Sequence, residues 1–125
     1  MSYTAVVLDA TDQQKLIDHF RDLIPSQWNV YCHHMTINMG GFDKGPLVGS
    51  NFNINDKVKL EVISFAHDDL VMAVGVICIV PSTNAIKHIT VAVNENNGGK
   101  PFFSNKLTNW TPTTPFTLNG KIMEQ

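Results

Sequence analysis

With 125 residues the chain is long enough to bury one core and too short for two domains of ordinary size, so a single domain over residues 1–125 is expected. Hydrophobic residues make up 43% and charged residues 16%, and 9 Lys+Arg stand against 11 Asp+Glu for a net charge of -2. That balance excludes a polycation: duplex DNA is not an expected partner, and any nucleic-acid ligand has to be held locally by a few groups.

The first residues lack the charged and apolar regions of a signal peptide, with Asp9 and Asp12 arriving early, so a cytoplasmic protein is expected. The longest apolar run, residues 70–81, is well short of the roughly 18 residues of a membrane span, and no membrane partner is expected. Cys32 and Cys78 read as reduced thiols without metal-site spacing. A monomer without metal or cofactor is the expectation.

In chain order, the β-branched segment 3–8 predicts a strand. Thr11 with Gln14 three residues on fits a capping box opening a helix over residues 11–24. Leu16, Ile17, Phe20, Leu23 and Ile24 share its apolar face, Lys15, Asp18 and Arg21 its solvated face, and Pro25 ends it. Residues 30–39 have period two, with Met35, Ile37 and Met39 facing one way and His34, Thr36 and Asn38 the other. Residues 40–56 read as a long loop, and Val58, Leu60, Val62 and Phe65 as a strand. Residues 70–80 form a buried strand. In 85–94, Ile89, Val91 and Val93 oppose His88, Thr90 and Asn94. A Gly-Gly-Lys-Pro loop, a Pro-containing link over 110–115 and a last strand through Phe116, Leu118 and Ile122 complete the chain. One helix and about six strands joined mostly by short turns predict an α+β fold with largely antiparallel sheets.

Two segments repeat each other, His34-Met35-Thr36-Ile37 and His88-Ile89-Thr90-Val91. Chance supplies roughly 0.07 His-x-Thr-x tetrapeptides with apolar residues at both x positions in such a chain, so two of them carry information. The pleat puts residues i and i+2 on one face, which points an imidazole and a hydroxyl into the same space. If the strands are neighbours, two such pairs face one centre. Two imidazoles with ordinary pKa values of about 6.5 supply a base and an acid at neutral pH, and two hydroxyls supply donors to phosphate oxygens, with no metal required. A lone strand histidine is ordinarily a polar side chain at a sheet surface; the matched pair is what argues for catalysis.

On these tetrapeptides the sequence resembles the 2H phosphoesterase superfamily, and the order of elements around them is similar. The resemblance implies a bilobal fold of antiparallel sheets with a cleft between the two His-x-Thr strands. It implies His34 and His88 as an acid/base pair and Thr36 and Thr90 as phosphate donors. It also implies a phosphodiesterase acting on an RNA end with a 2′,3′-cyclic phosphate, a 2′-5′ linkage or a small cyclic nucleotide. A non-catalytic binding module for a nucleotide or RNA end, and a 2′-5′ RNA ligase, are the alternative readings on the same scaffold.

Further candidates surround the motifs. Asn38 and Asn94 share the expected site face, while Phe102 and Phe103 offer stacking surfaces and Lys100 and Lys106 offer charge for phosphate. Residues 40–56 and 96–106 are expected to border the cleft. His33, on the packed face by alternation, reads as strand-entry structure, and His19 and His67 as surface residues.

Overall fold

Residues 2–125 are described by a computed structural model of the chain. Seven strands and one α-helix occur among them: β1 (Tyr3–Leu8), α1 (Ala10–Phe20), β2 (Asn29–Val30), β3 (His34–Met39), β4 (Lys57–His67), β5 (Val71–Ile77), β6 (His88–Val93) and β7 (Thr111–Glu124). The strands pair in the order β2-β6-β3-β1-β7-β4-β5, and β5 pairs back to β6. Six strands thereby close into a barrel in which every pairing is antiparallel. The α+β class and the antiparallel pairing match the sequence expectation. The expected pair of sheets does not match, because the pairing makes one continuous sheet. β3 and β6 are joined through the single register pair Met35–Ile89.

The barrel interior is filled by alternate residues of its strands, among them Val6, Met35, Leu60, Val74, Ile89, Leu118 and Ile122, each fully buried. Leu16 and Phe20 of α1 join the same cluster. A smaller cluster of Ala66, Val71, Ala73, Val93 and Leu107 lies apart from it, covered by Tyr31, Phe103 and Trp110.

The helix departs from the sequence reading at both ends. It starts at Ala10, which places Thr11 inside the first turn, and the capping box is not formed: the Thr11 hydroxyl donates to Asp12 and the Gln14 amide to Asp18. Asp12 instead accepts from the backbone and side-chain amides of Asn119, fastening the helix start to β7. After Phe20 the chain tightens into a 3₁₀ turn over Arg21–Leu23, which rotates Leu23 off the apolar stripe and leaves it 57% exposed.

The region 110–115, expected to be a link, belongs to β7 from Thr111 onward. Its prolines cost no pairing to β1, because β1 meets β7 only from Gly120 to Glu124. At Gly120 a Cβ would lie 2.6 Å from the Val7 carbonyl oxygen, so glycine is what lets β1 approach β7 this closely.

Two irregularities matter most for the site. β3 slips by one residue against β1 between Thr36 and Asn38, and β6 slips against β5 between Thr90 and Ala92. Each strand thus carries an extra residue, Ile37 or Val91, directly after its His-x-Thr triplet. A β-bulge reverses the in/out alternation beyond it. In β3 the reversal buries Asn38 and turns Met39 outward at 60% exposure; in β6 it keeps Ala92 in the main core and hands Val93 to the outer cluster.

Candidate active site

Met35 and Ile89 are register partners across β3 and β6. Both point into the core, so their flanking residues His34, Thr36, His88 and Thr90 point away from it. An antiparallel register centred on that pair sets His34 toward Thr90 and Thr36 toward His88. All four line a cavity of about 380 Å³ on the outer face of the barrel.

His34 is half-buried, and its ring lies 4.9 Å from that of Tyr3. Burial first, and then the neighbouring imidazoles of His33 and His88, push its pKa down from 6.5 to about 4, so it is uncharged at neutral pH. His88 is buried with 6% exposure, and its Nδ1 lies 2.7 Å from the Ile86 carbonyl oxygen. A carbonyl only accepts, so Nδ1 carries hydrogen and Nε2 is the nitrogen left for other partners. Opposite His88 in β5 stands Gly75, where a Cβ would meet the Ser64 hydroxyl oxygen at 2.2 Å and the Trp110 ring at 3.5 Å. Glycine there leaves room for the Ser64 side chain, and the Trp110 ring packs beside it with its centroid 6.3 Å from that of His88.

The two threonines are held differently. At Thr36 it is the backbone that is fixed, its carbonyl accepting from the Ser82 hydroxyl at 2.8 Å. At Thr90 the hydroxyl itself lies 2.8 Å from the Ser104 hydroxyl, and Ser104 donates to the Pro101 carbonyl at 2.7 Å. Because Ser104 spends its proton on Pro101, Thr90 is the donor between the two hydroxyls.

The remaining sequence candidates divide. Phe102 lines the cavity at 56% exposure. Phe103, Lys100 and Lys106 do not line it. Residues Pro101–Lys106 form a 3₁₀ helix with three residues per turn, so Pro101, Phe102, Ser104 and Asn105 line the cavity while Phe103 packs into the outer cluster and Lys106 faces solvent. Lys100 precedes the turn on extended, exposed backbone. Asn38 and Asn94 are absent from the lining because the bulges turn them away. The Asn38 amide donates to the Met39, Gly40 and Gly41 carbonyls, and the Asn94 amide to that of Asp69. Of the two expected border loops, 96–106 contributes and 40–56 does not; Thr83 and Asn84, from the β5–β6 connection, stand on the rim instead.

Sequence reasoning missed Tyr3, Tyr31, His33, Met39 and Ser104. Tyr3 is set beside the site because its strand pairs with β3, which no local pattern announces. The signal for His33 was present in the consecutive histidines, but strict alternation assigned it to the packed face.

The Asp, Glu and Cys side chains stay out of the lining, and among the described residues no group of three or more metal-ligating side chains occurs. No helix among them is long and apolar enough to cross a membrane. Comparisons with curated proteins and with solved structures returned no match. The family model of the fungal tRNA ligase phosphodiesterase domain matches residues 13–122, a span that holds both His-x-Thr triplets, strands β2 to β6 and most of β7. By that match the chain belongs to the fungal tRNA ligase phosphodiesterase domain family of 2H phosphoesterases, and it is a phosphodiesterase.

Proposed function

We propose that the chain hydrolyses a 2′,3′-cyclic phosphate, carried by an RNA end or a small nucleotide, through His34 and His88. The observation that supports this most is the Met35–Ile89 pairing, which turns two imidazoles and two hydroxyls toward one cavity. His34 is uncharged at neutral pH and serves as the base: its Nε2 removes a proton from water as the water oxygen attacks phosphorus. One of the two ring P–O bonds breaks, and Nε2 of His88 delivers a proton to the departing ribose oxygen. The product is a phosphomonoester beside a free hydroxyl. Thr36 donates to one non-bridging oxygen, where charge grows in the transition state, and Thr90 swings its single hydroxyl proton from Ser104 to the other when substrate is bound. Phe102 and Tyr3 supply apolar walls against which a terminal base stacks. In this reading the two imidazoles suffice without a metal.

The test is turnover of a panel of 2′,3′-cyclic mononucleotides, RNA oligomers with 2′,3′-cyclic ends, 2′-5′ dinucleotides and cyclic dinucleotides in the presence of EDTA. Hydrolysis of the cyclic ends with a pH profile falling on both sides of an optimum is the expected result. Binding without product indicates a binding module, end joining indicates a ligase, and activity lost to the chelator removes the metal-free mechanism.

A further inference from the structure

We propose that His33 is a positioning residue for His34: its Nδ1 accepts the Nδ1 proton of His34 and so leaves Nε2 of His34 bare toward the cavity. This rests on the reading of His34 as the base. Three observations carry it. The two Nδ1 atoms lie 3.0 Å apart, a hydrogen-bond distance, with the rings at 83°. Both imidazoles line the same cavity, although consecutive residues of a regular strand point to opposite faces. The break that allows this is Cys32, which sits in the left-handed region at φ 49, a conformation that non-glycine residues seldom adopt and that is retained where the surroundings enforce it. Here the enforcement is visible: Cys32 is fully buried, its backbone N–H donates to the Thr90 carbonyl, and the His33 carbonyl accepts from Leu8.

The chemistry has only two arrangements while both rings are neutral. If His33 were the donor, the single proton of His34 would sit on Nε2, and His34 would present no lone pair to water. With His34 as donor, the bare Nε2 faces the substrate, and the imidazolium formed during attack keeps its Nδ1–H bonded to His33. This is the orienting role that a carboxylate plays in other base-dependent hydrolases, filled by a neutral partner. It also makes turnover sensitive to the charge of His33. A protonated His33 carries hydrogen on both nitrogens, so its Nδ1 changes from acceptor to donor, and the bond survives only if His34 moves its proton to Nε2. The base is then withdrawn. The other titratable groups around the pair are His88 on β6, Tyr3 on β1 and Tyr31, whose hydroxyl donates to Glu95; no lysine or arginine lines the cavity among the described residues.

The test combines ¹⁵N-histidine NMR of the unmodified protein with kinetics of His33→Asn and His33→Leu on 2′,3′-cyclic CMP from pH 4.5 to 9. Asparagine keeps an acceptor that does not titrate, whereas leucine removes the acceptor. The expected results are a His34 tautomer protonated at Nδ1 at pH 7.5, a kcat for His33→Asn within about threefold of the parent, and a kcat for His33→Leu lower by about tenfold or more with little change in KM. The acidic limb of the kcat profile should move to lower pH in His33→Asn. A His34 protonated at Nε2 at pH 7.5, or a His33→Leu protein with parental kcat and pH profile, overturns the proposal. If the parent protein itself hydrolyses no cyclic nucleotide, the reading of the reaction fails, and the tautomer alone then decides on the hydrogen bond.

Discussion

The side chains of Ile37 and Val91 occupy equivalent places in the two halves of the site: each is the extra residue of a bulge that follows a His-x-Thr triplet by one position. The triplets therefore stand at the last regular stretch of their strands before the alternation inverts. The triplets and the bulge residues Ile37 and Val91 keep the facing that period two assigns, and the residues beyond them are displaced to other tasks.

If His34 and His88 divide the proton transfers, loss of either imidazole should lower kcat by about 10²–10⁴-fold. His34→Gln and His88→Gln are the preferred changes, because truncating buried His88 to alanine orphans the Ile86 carbonyl and costs about 1–3 kcal/mol of stability as well. Turnover of 2′,3′-cyclic CMP with thermal unfolding measured in parallel checks this. A glutamine variant that keeps parental kcat removes that histidine from the mechanism.

Thr36→Ala and Thr90→Ala should each cost about 1–3 kcal/mol of transition-state stabilisation, but with different side effects. Thr90 is the donor that satisfies buried Ser104, so its loss should also loosen the Pro101–Lys106 turn. Hydrogen exchange over residues 101–106 should accelerate in Thr90→Ala and stay unchanged in Thr36→Ala.

The adjacent phenylalanines should separate binding from stability. Phe102→Ala should raise KM by an amount equivalent to about 1–3 kcal/mol of stacking, with unfolding unaffected. Phe103→Ala should lower the unfolding temperature, since its ring covers the outer cluster of Val71, Ala73 and Val93. Equal effects of both changes on KM would refute the assignment of the turn's faces.

His34 also ties stability to pH. Its pKa lies near 4 in the folded chain against 6.5 for an ordinary imidazole, so between these values the unfolded chain binds more protons than the native one. This contribution is fully present above pH 6.5 and is lost as the pH falls toward 4. Urea unfolding at pH 7.5, 5.5 and 4.5 should show a decline that is shallower in His34→Gln. Parallel declines in the two proteins would contradict the burial of an uncharged ring.

Much of this was legible in the chain. The paired triplets stood out because two chemical residue types recur at the period of a strand, and Leu16 with Phe20 identified α1 because a helical stripe is a local signal. What local pattern does not carry is a change of register imposed by a neighbouring strand. Asn38 and Asn94 went to the wrong face for that reason, and His33 for the related reason that the turn at Cys32 is invisible in alternation. Closure of the barrel, through contact of β5 with β6, likewise depends on pairing across the chain rather than on any segment's own sequence.

The pairing of β1 with β7 has a kinetic meaning. Tyr3 and Gln125 exchange backbone hydrogen bonds, at 3.2 and 2.8 Å, across almost the whole length of the chain. Contacts of such sequence separation slow folding, because the entropy of closing the largest loop is lost before its bonds are gained. The cavity residues of β3 are positioned by β1, which β7 flanks on its other edge. Refolding from urea should therefore restore activity no faster than it restores protection of the amides shared by these two strands.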